Sequence, residues 1–104
     1  MLKLKIKVPQ EKIAAFCQKH HIRKLAFFGS VLRDDFRPDS DIDVLVEFEL
    51  TAHPTLLDSA RMKIELEQIL DREVDLVSRR GVETSRNYIR RQAILESAQE
   101  IYAA

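Results

Sequence analysis

The sequence predicts an α+β fold of two layers, a small mixed β-sheet with helices packed on one face. Three observations predict it. Apolar runs of strand length occur at 24–28, 41–49 and 73–78, each bounded by turn-forming residues. Elsewhere apolar residues recur at helical spacing, as at Met62, Leu66, Ile69 and Leu70. Within 41–49 the alternation is strict: Ile42, Val44, Val46 and Phe48 face one way, and Asp41, Asp43, Leu45 and Glu47 the other. Such a strand buries one face and leaves the other for polar groups.

The elements follow in order. Residues 2–8 alternate Leu2, Leu4, Ile6 and Val8 with lysines, the pattern of a short edge strand. Pro9 suits the opening of a helix whose face is Ile13, Phe16, Cys17 and His20. The first core strand is 24–28, and Gly29-Ser30 turns sharply out of it. Residues 31–35 read as a helical turn, and Arg37-Pro38-Asp39-Ser40 as a tight approach to the strand at 41–49. His53-Pro54-Thr55 breaks the chain and starts a helix to about Leu70. After the strand at 73–78, Arg79-Arg80-Gly81 is expected to turn. Thr84 would then cap a final helix ending near Tyr102, with Ile94, Ala98, Ile101 and Tyr102 as its stripe.

At 104 residues the chain is expected to form a single domain over 1–104. Seventeen basic residues balance seventeen acidic ones, so no global field draws it to nucleic acid or to a membrane surface. Its one cysteine, Cys17, excludes an intrachain disulfide framework. No stretch resembles a signal peptide or a membrane span, and cytoplasmic residence is the expectation.

Chemistry concentrates at Asp41 and Asp43. Two apart on one strand, their carboxylates share a face, roughly 7 Å apart at Cα. Their mutual repulsion is about 2.4 kcal/mol at an effective dielectric of ~20. A fold that accepts this cost beside a phosphate-sized turn is built for a cation. Magnesium is commonly held by one or two carboxylates plus substrate phosphates. Asp75, the other acid embedded in an apolar strand pattern, joins the same face if 73–78 lies beside 41–49. Three carboxylates permit two cations about 4 Å apart, an arrangement suited to phosphoryl transfer. Asp75 serves equally as a general base for an attacking hydroxyl, and the sequence leaves both roles open.

Gly29 permits close backbone approach to a phosphate, Ser30 adds a hydroxyl, and the helical start after it attracts anions. Arg33, one turn on, can supply positive charge to a triphosphate. Ser40, immediately before Asp41, is grouped with them as nucleotide-binding. Other metal sites do not fit. Asp39, Asp41 and Asp43 mimic the first, third and fifth positions of an EF-hand loop, but Val44 and Leu50 stand where that loop needs glycine and glutamate. His20-His21 and His53 lack partners at zinc-ligand spacing.

The string Phe28-Gly29-Ser30, then Arg33, then Arg37-Pro38-Asp39-Ser40-Asp41-Ile42-Asp43-Val44-Leu45-Val46 resembles the minimal nucleotidyltransferases of the polymerase β superfamily. The later Val74-Asp75-Leu76-Val77 and the closing helix with Arg90 and Tyr102 extend the resemblance over nearly the whole chain. It implies a polymerase β-like catalytic palm in which Gly29 and Ser30 hold the triphosphate, Asp41 and Asp43 ligate magnesium, and Asp75 is the third catalytic carboxylate. It further implies an antitoxin paired with a HEPN-domain ribonuclease toxin in a hetero-oligomer. The implied reaction transfers AMP from ATP to a tyrosine of that toxin, with two magnesium ions as cofactor. Asp34-Asp35-Phe36 departs from the small residues that often follow the equivalent of Arg33, placing two further charges near the turn.

A palm this small has little surface with which to enclose a second substrate, and an acceptor delivered by a partner protein meets that need. Arg79, Arg80, Arg86, Arg90 and Arg91 form a candidate partner surface or a solvated basic face. Two other functions fit the same residues: an antitoxin that neutralises its toxin by masking, and a small-molecule nucleotidyltransferase, which would need an additional acceptor domain.

Overall fold

The computed structural model describes residues 8–29, 41–84 and 86–104. The edge strand expected at 2–8, apart from Val8, the helical turn at 31–35 and the approach at 37–40 lie outside the described residues. The chain order is α1 (Gln10–Lys19), β1 (Ile22–Phe28), β2 (Ile42–Phe48), α2 (Leu56–Leu70), β3 (Val74–Ser78), α3 (Arg79–Glu83), α4 (Tyr88–Ser97) and β4 (Gln99–Ala103). The four strands form one mixed sheet in the order β3-β2-β1-β4. Strands β1 and β2 pair antiparallel, as do β1 and β4, whereas β2 and β3 run parallel across the α2 crossover.

Helix α1 begins after Pro9 and buries Ile13, Phe16 and Cys17, one stripe at i, i+3 and i+4. His20 sits just past its end rather than on its face. Its ring lies 4.8 Å from Phe16, and its Nε2 meets Glu65 Oε2 of α2 at 2.7 Å. His21, with φ 57, then turns the chain into β1. Burial pushes the Cys17 thiol up to about 12, which keeps it protonated and unreactive.

Helix α2 starts in a capping box. The Thr55 hydroxyl accepts from Asp58 N at 3.1 Å, and the Asp58 carboxylate accepts from Thr55 N at 2.9 Å. The Thr55 amide, and then its hydroxyl, hold the Asp58 carboxyl below the usual carboxylate range. The helix buries Met62, Leu66 and Leu70 and ends at Asp71, whose φ of 54 places it in the left-handed region.

Both helices cover the same sheet face, over a core that includes Leu25, Phe27, Val44, Val46 and Val74. The opposite face carries a smaller cluster of Phe28, Leu45, Val82 and Ile94, seated under α3 and α4. Helices α1 and α2 thus pack on one face as expected, while α3 and α4 cover part of the other, which was expected to be left to the acids.

The C-terminal third differs from the reading of its sequence. Arg79-Arg80-Gly81 opens the short helix α3, capped by the Ser78 hydroxyl accepting from Gly81 N at 3.0 Å. Thr84 closes α3, its amide donating to Arg80 O at 3.1 Å, and Asn87 caps α4. The expected helix to Tyr102 stops at Ser97. Ala98 takes an extended conformation (φ −62, ψ 130), and the chain pairs as β4 with β1. Ile94, Ala98, Ile101 and Tyr102 fit a helical stripe, but β1 offers an open row of backbone groups. Pairing with that edge, closed by Ala104 N donating to Arg23 O at 2.8 Å, outweighs the local period.

Candidate active site

Because β2 and β3 run parallel in the register Ile42↔Val74 and Asp43↔Asp75, the two carboxylate residues are lateral neighbours on adjacent strands. Paired residues of a parallel ladder share a sheet face, and adjacent strands are about 4.8 Å apart. Ile42 N donates to Glu73 O at 2.9 Å, so pairing is established from the first residue of β2. Asp41 precedes that residue and is exposed at the strand's entrance, two positions from Asp43. Asp75 is exposed, whereas Asp43 is half-buried.

The reason Asp43 is half-buried lies in β1. Phe28 pairs with Asp43, which brings Gly29 to the end of the same ladder. Gly29 has φ 76, a conformation that L side chains adopt rarely. A Cβ placed on it would collide with the Asp43 carboxylate oxygen Oδ2. The space left by the missing side chain is therefore filled by Asp43. The sequence indicated a permissive position at 29; it carried no sign that the neighbour admitted there is a carboxylate from the next strand.

A second contribution went unread in the sequence. Glu67 of α2 looks like half of a surface pair with Lys63, four residues before it, and the two do meet at 3.1 Å. Its Oε2 also accepts from Val74 N at 3.0 Å, tying the outer edge of β3 to α2 one residue before Asp75. This backbone hydrogen bond, and then the Lys63 bond, hold the Glu67 carboxyl below its ordinary range.

Ser30, Arg33 and Ser40 lie outside the described residues. Among the described residues, no three His, Cys, Asp or Glu side chains are grouped so as to hold a metal ion between them. The protein thus offers a row of hard oxygen donors open to solvent rather than a closed cage. That donor set suits magnesium, which takes part of its coordination from substrate phosphates and water. A cavity of about 510 Å³ lies at the far end of β2 and β3, lined by Glu47, Phe48, Leu50, His53, Arg79 and Glu83. Its cation Arg79 is engaged by Glu83 at 2.7 Å and Glu47 at 3.7 Å, so charge there is already balanced. The pairing of Asp43 with Asp75, not cavity size, singles out the other end of the sheet as the candidate site.

Comparison with known proteins agrees with this geometry. A family model described as a nucleotidyltransferase domain matches residues 10–101. A Methanocaldococcus jannaschii protein named "Putative protein adenylyltransferase MJ0435" is 41% identical over 69 residues, covering 66% of this chain and 72% of that protein. A solved structure, named "putative minimal nucleotidyltransferase", superposes with a TM-score of 0.65 at 40% identity, over 86% of this chain and 85% of the other. A chain from the complex of a tri-AMPylated Shewanella oneidensis HEPN toxin with its MNT antitoxin superposes with a TM-score of 0.62 at 18% identity, over 91% of this chain and 70% of the other. That last likeness shows the shared fold. The strand pair that aligns Asp43 with Asp75, the glycine set against it and the match over residues 10–101 lead to one assignment: this chain belongs to the nucleotidyltransferase domain family, in its minimal form.

Proposed function

We propose that this protein is an adenylyltransferase that moves AMP from ATP onto a tyrosine hydroxyl of a HEPN-domain toxin and so acts as its antitoxin. The observation that carries the reading is the Asp43↔Asp75 register on the face that Asp41 enters, with Gly29 against Asp43. The relative named for protein adenylylation and the fold shared with the HEPN-bound antitoxin support the acceptor class.

In this reading Asp41 and Asp43 hold magnesium, and Asp75 is either the third ligand or the base for the acceptor hydroxyl. Bound there with the phosphates, magnesium supplies neutralisation of the charge that develops on the transferring and leaving groups. The chain's own part is positioning. The parallel ladder fixes two carboxylates side by side, and Gly29 lets one of them sit close to the turn that leads into Ser30. Ser30, Arg33 and Ser40 are assigned to the triphosphate, Arg33 as a charge that pairs with phosphate oxygens. The acceptor oxygen bonds to the α-phosphorus as the bond to the β-phosphate bridge breaks, and pyrophosphate leaves.

The test is incubation of the protein with a HEPN partner, magnesium and α-labelled ATP. Label should appear on the partner's tyrosine and fall by about a hundredfold or more in Asp43→Asn, as expected when one preorganised electrostatic group is lost. Full transfer by Asp43→Asn would remove the basis of the reading. If that variant transfers no label yet still protects cells from the toxin, masking is the mode of neutralisation. No helix among the described residues is long and apolar enough to cross a membrane.

A further inference from the structure

The acid face holds a second, smaller space. Between β3 and the C-terminal helices lies a cavity of about 200 Å³. Val77, Val82 and Ile94 line it as apolar residues, and Asp75, Arg90 and Arg91 as charged ones. Pockets that enclose small-molecule ligands of drug size run from roughly 300 Å³ upward. This space is too small for a nucleoside triphosphate and suits one ring-sized side chain.

We infer that this cavity receives the acceptor as a tyrosine side chain presented by a partner protein. The ring lies against Val77, Val82 and Ile94, the hydroxyl is directed to Asp75, and Arg90 interacts with the ring. The inference rests on the transferase reading and deepens it by assigning the acceptor site to named residues. Three observations support it. Asp75 belongs both to the cavity and to the acid row, so a group bound in the cavity is delivered beside the reacting phosphate. Serine or threonine would leave most of the space between Val77, Val82, Ile94 and Arg90 unfilled, whereas a phenol fills it with an apolar body and carries a polar tip. Arg91 is held by its bond to Glu83 O at 3.1 Å, but Arg90 is exposed and forms no ion pair among the described residues. A guanidinium so placed is available to lie over an aromatic face.

The step balances as follows. The phenolic oxygen forms a bond to the α-phosphorus of ATP, and the bond from that phosphorus to the bridging oxygen of the β-phosphate breaks. Pyrophosphate departs with that electron pair, and the phenolic proton passes to solvent by way of Asp75.

The experiment measures steady-state transfer from α-labelled ATP to the HEPN partner, varying each substrate in turn, for the native protein, Arg90→Ala and Arg90→Lys. Circular dichroism checks that the variants fold. Arg90→Ala should raise the KM for the acceptor about three- to thirtyfold, the range of a cation–aromatic contact, and leave the KM for ATP where it was. Arg90→Lys should recover part of the loss. An unchanged acceptor KM overturns the assignment, and so does a rise confined to the KM for ATP, which would put Arg90 on the triphosphate. If the native protein transfers no label, the transferase reading fails and the acceptor site with it. Transfer by the native protein with indifferent variants removes the acceptor site alone.

Discussion

On the sheet face under α1 and α2, thirteen of the described residues are buried in one continuous cluster, drawn from both helices and three strands. On the acid face only Phe28, Leu45, Val82 and Ile94 are buried together, and two of the carboxylate residues beside them, Asp41 and Asp75, are exposed. The same strands serve both faces, since alternate residues of β2 go to opposite sides. The difference teaches where stability and chemistry are kept. The apolar face carries the burial that offsets chain entropy, so the acid face can hold close like charges at a cost the other side absorbs.

Truncation of the apolar face is the severest way to break this division. Leu66 is fully buried in α2, and Leu66→Ala should cost about 2–5 kcal/mol of unfolding free energy. Urea denaturation would read the loss, with activity falling only as the folded fraction falls. Gly29→Ala attacks the boundary between the faces. The left-handed φ costs about 1–2 kcal/mol for an L side chain, and the added methyl must move the Asp43 carboxylate. Label transfer should therefore drop by more than the stability change explains, a gap visible when the two are measured on one preparation.

Loss of the Glu65 contacts on acidification gives the smallest effect, and it lies on the apolar side. Glu65 is held below its ordinary value of 4.5, first by the hydrogen bond with His20 and then by Lys19. A depressed carboxyl contributes stability above its unfolded value, and that contribution is lost as pH falls from about 4.5 through the lower folded value. Glu65→Gln should flatten the dependence of the urea midpoint on pH below 4.5, by under about 1 kcal/mol for a partly exposed pair.

The central part of the molecule was legible in the sequence because its signals are local. Strict alternation marked β2 and aligned Asp41 with Asp43. The His53-Pro54-Thr55 break marked the start of α2, and Asp75 stood out as an acid inside an apolar strand. Long-range pairings were not legible. Strand β4 carries a pattern that fits a helix equally well, and only the open edge of β1 decides between them. The Glu67 bond to Val74 N and the contact of Gly29 with Asp43 join residues 7 and 14 positions apart, with no shared period to announce them. The site residues Ser30, Arg33 and Ser40 fall outside the described residues and stand as assignments made from sequence.

The fit of Asp43 into the hollow at Gly29 couples the side chains that the two positions can hold. Any larger residue at 29 demands a shorter one at 43, and shortening 43 withdraws a carboxylate from its place beside Asp75. Thermostabilising schemes that trade loop glycines for alanine should therefore pass over this one, since rigidity gained there displaces the carboxylate it adjoins.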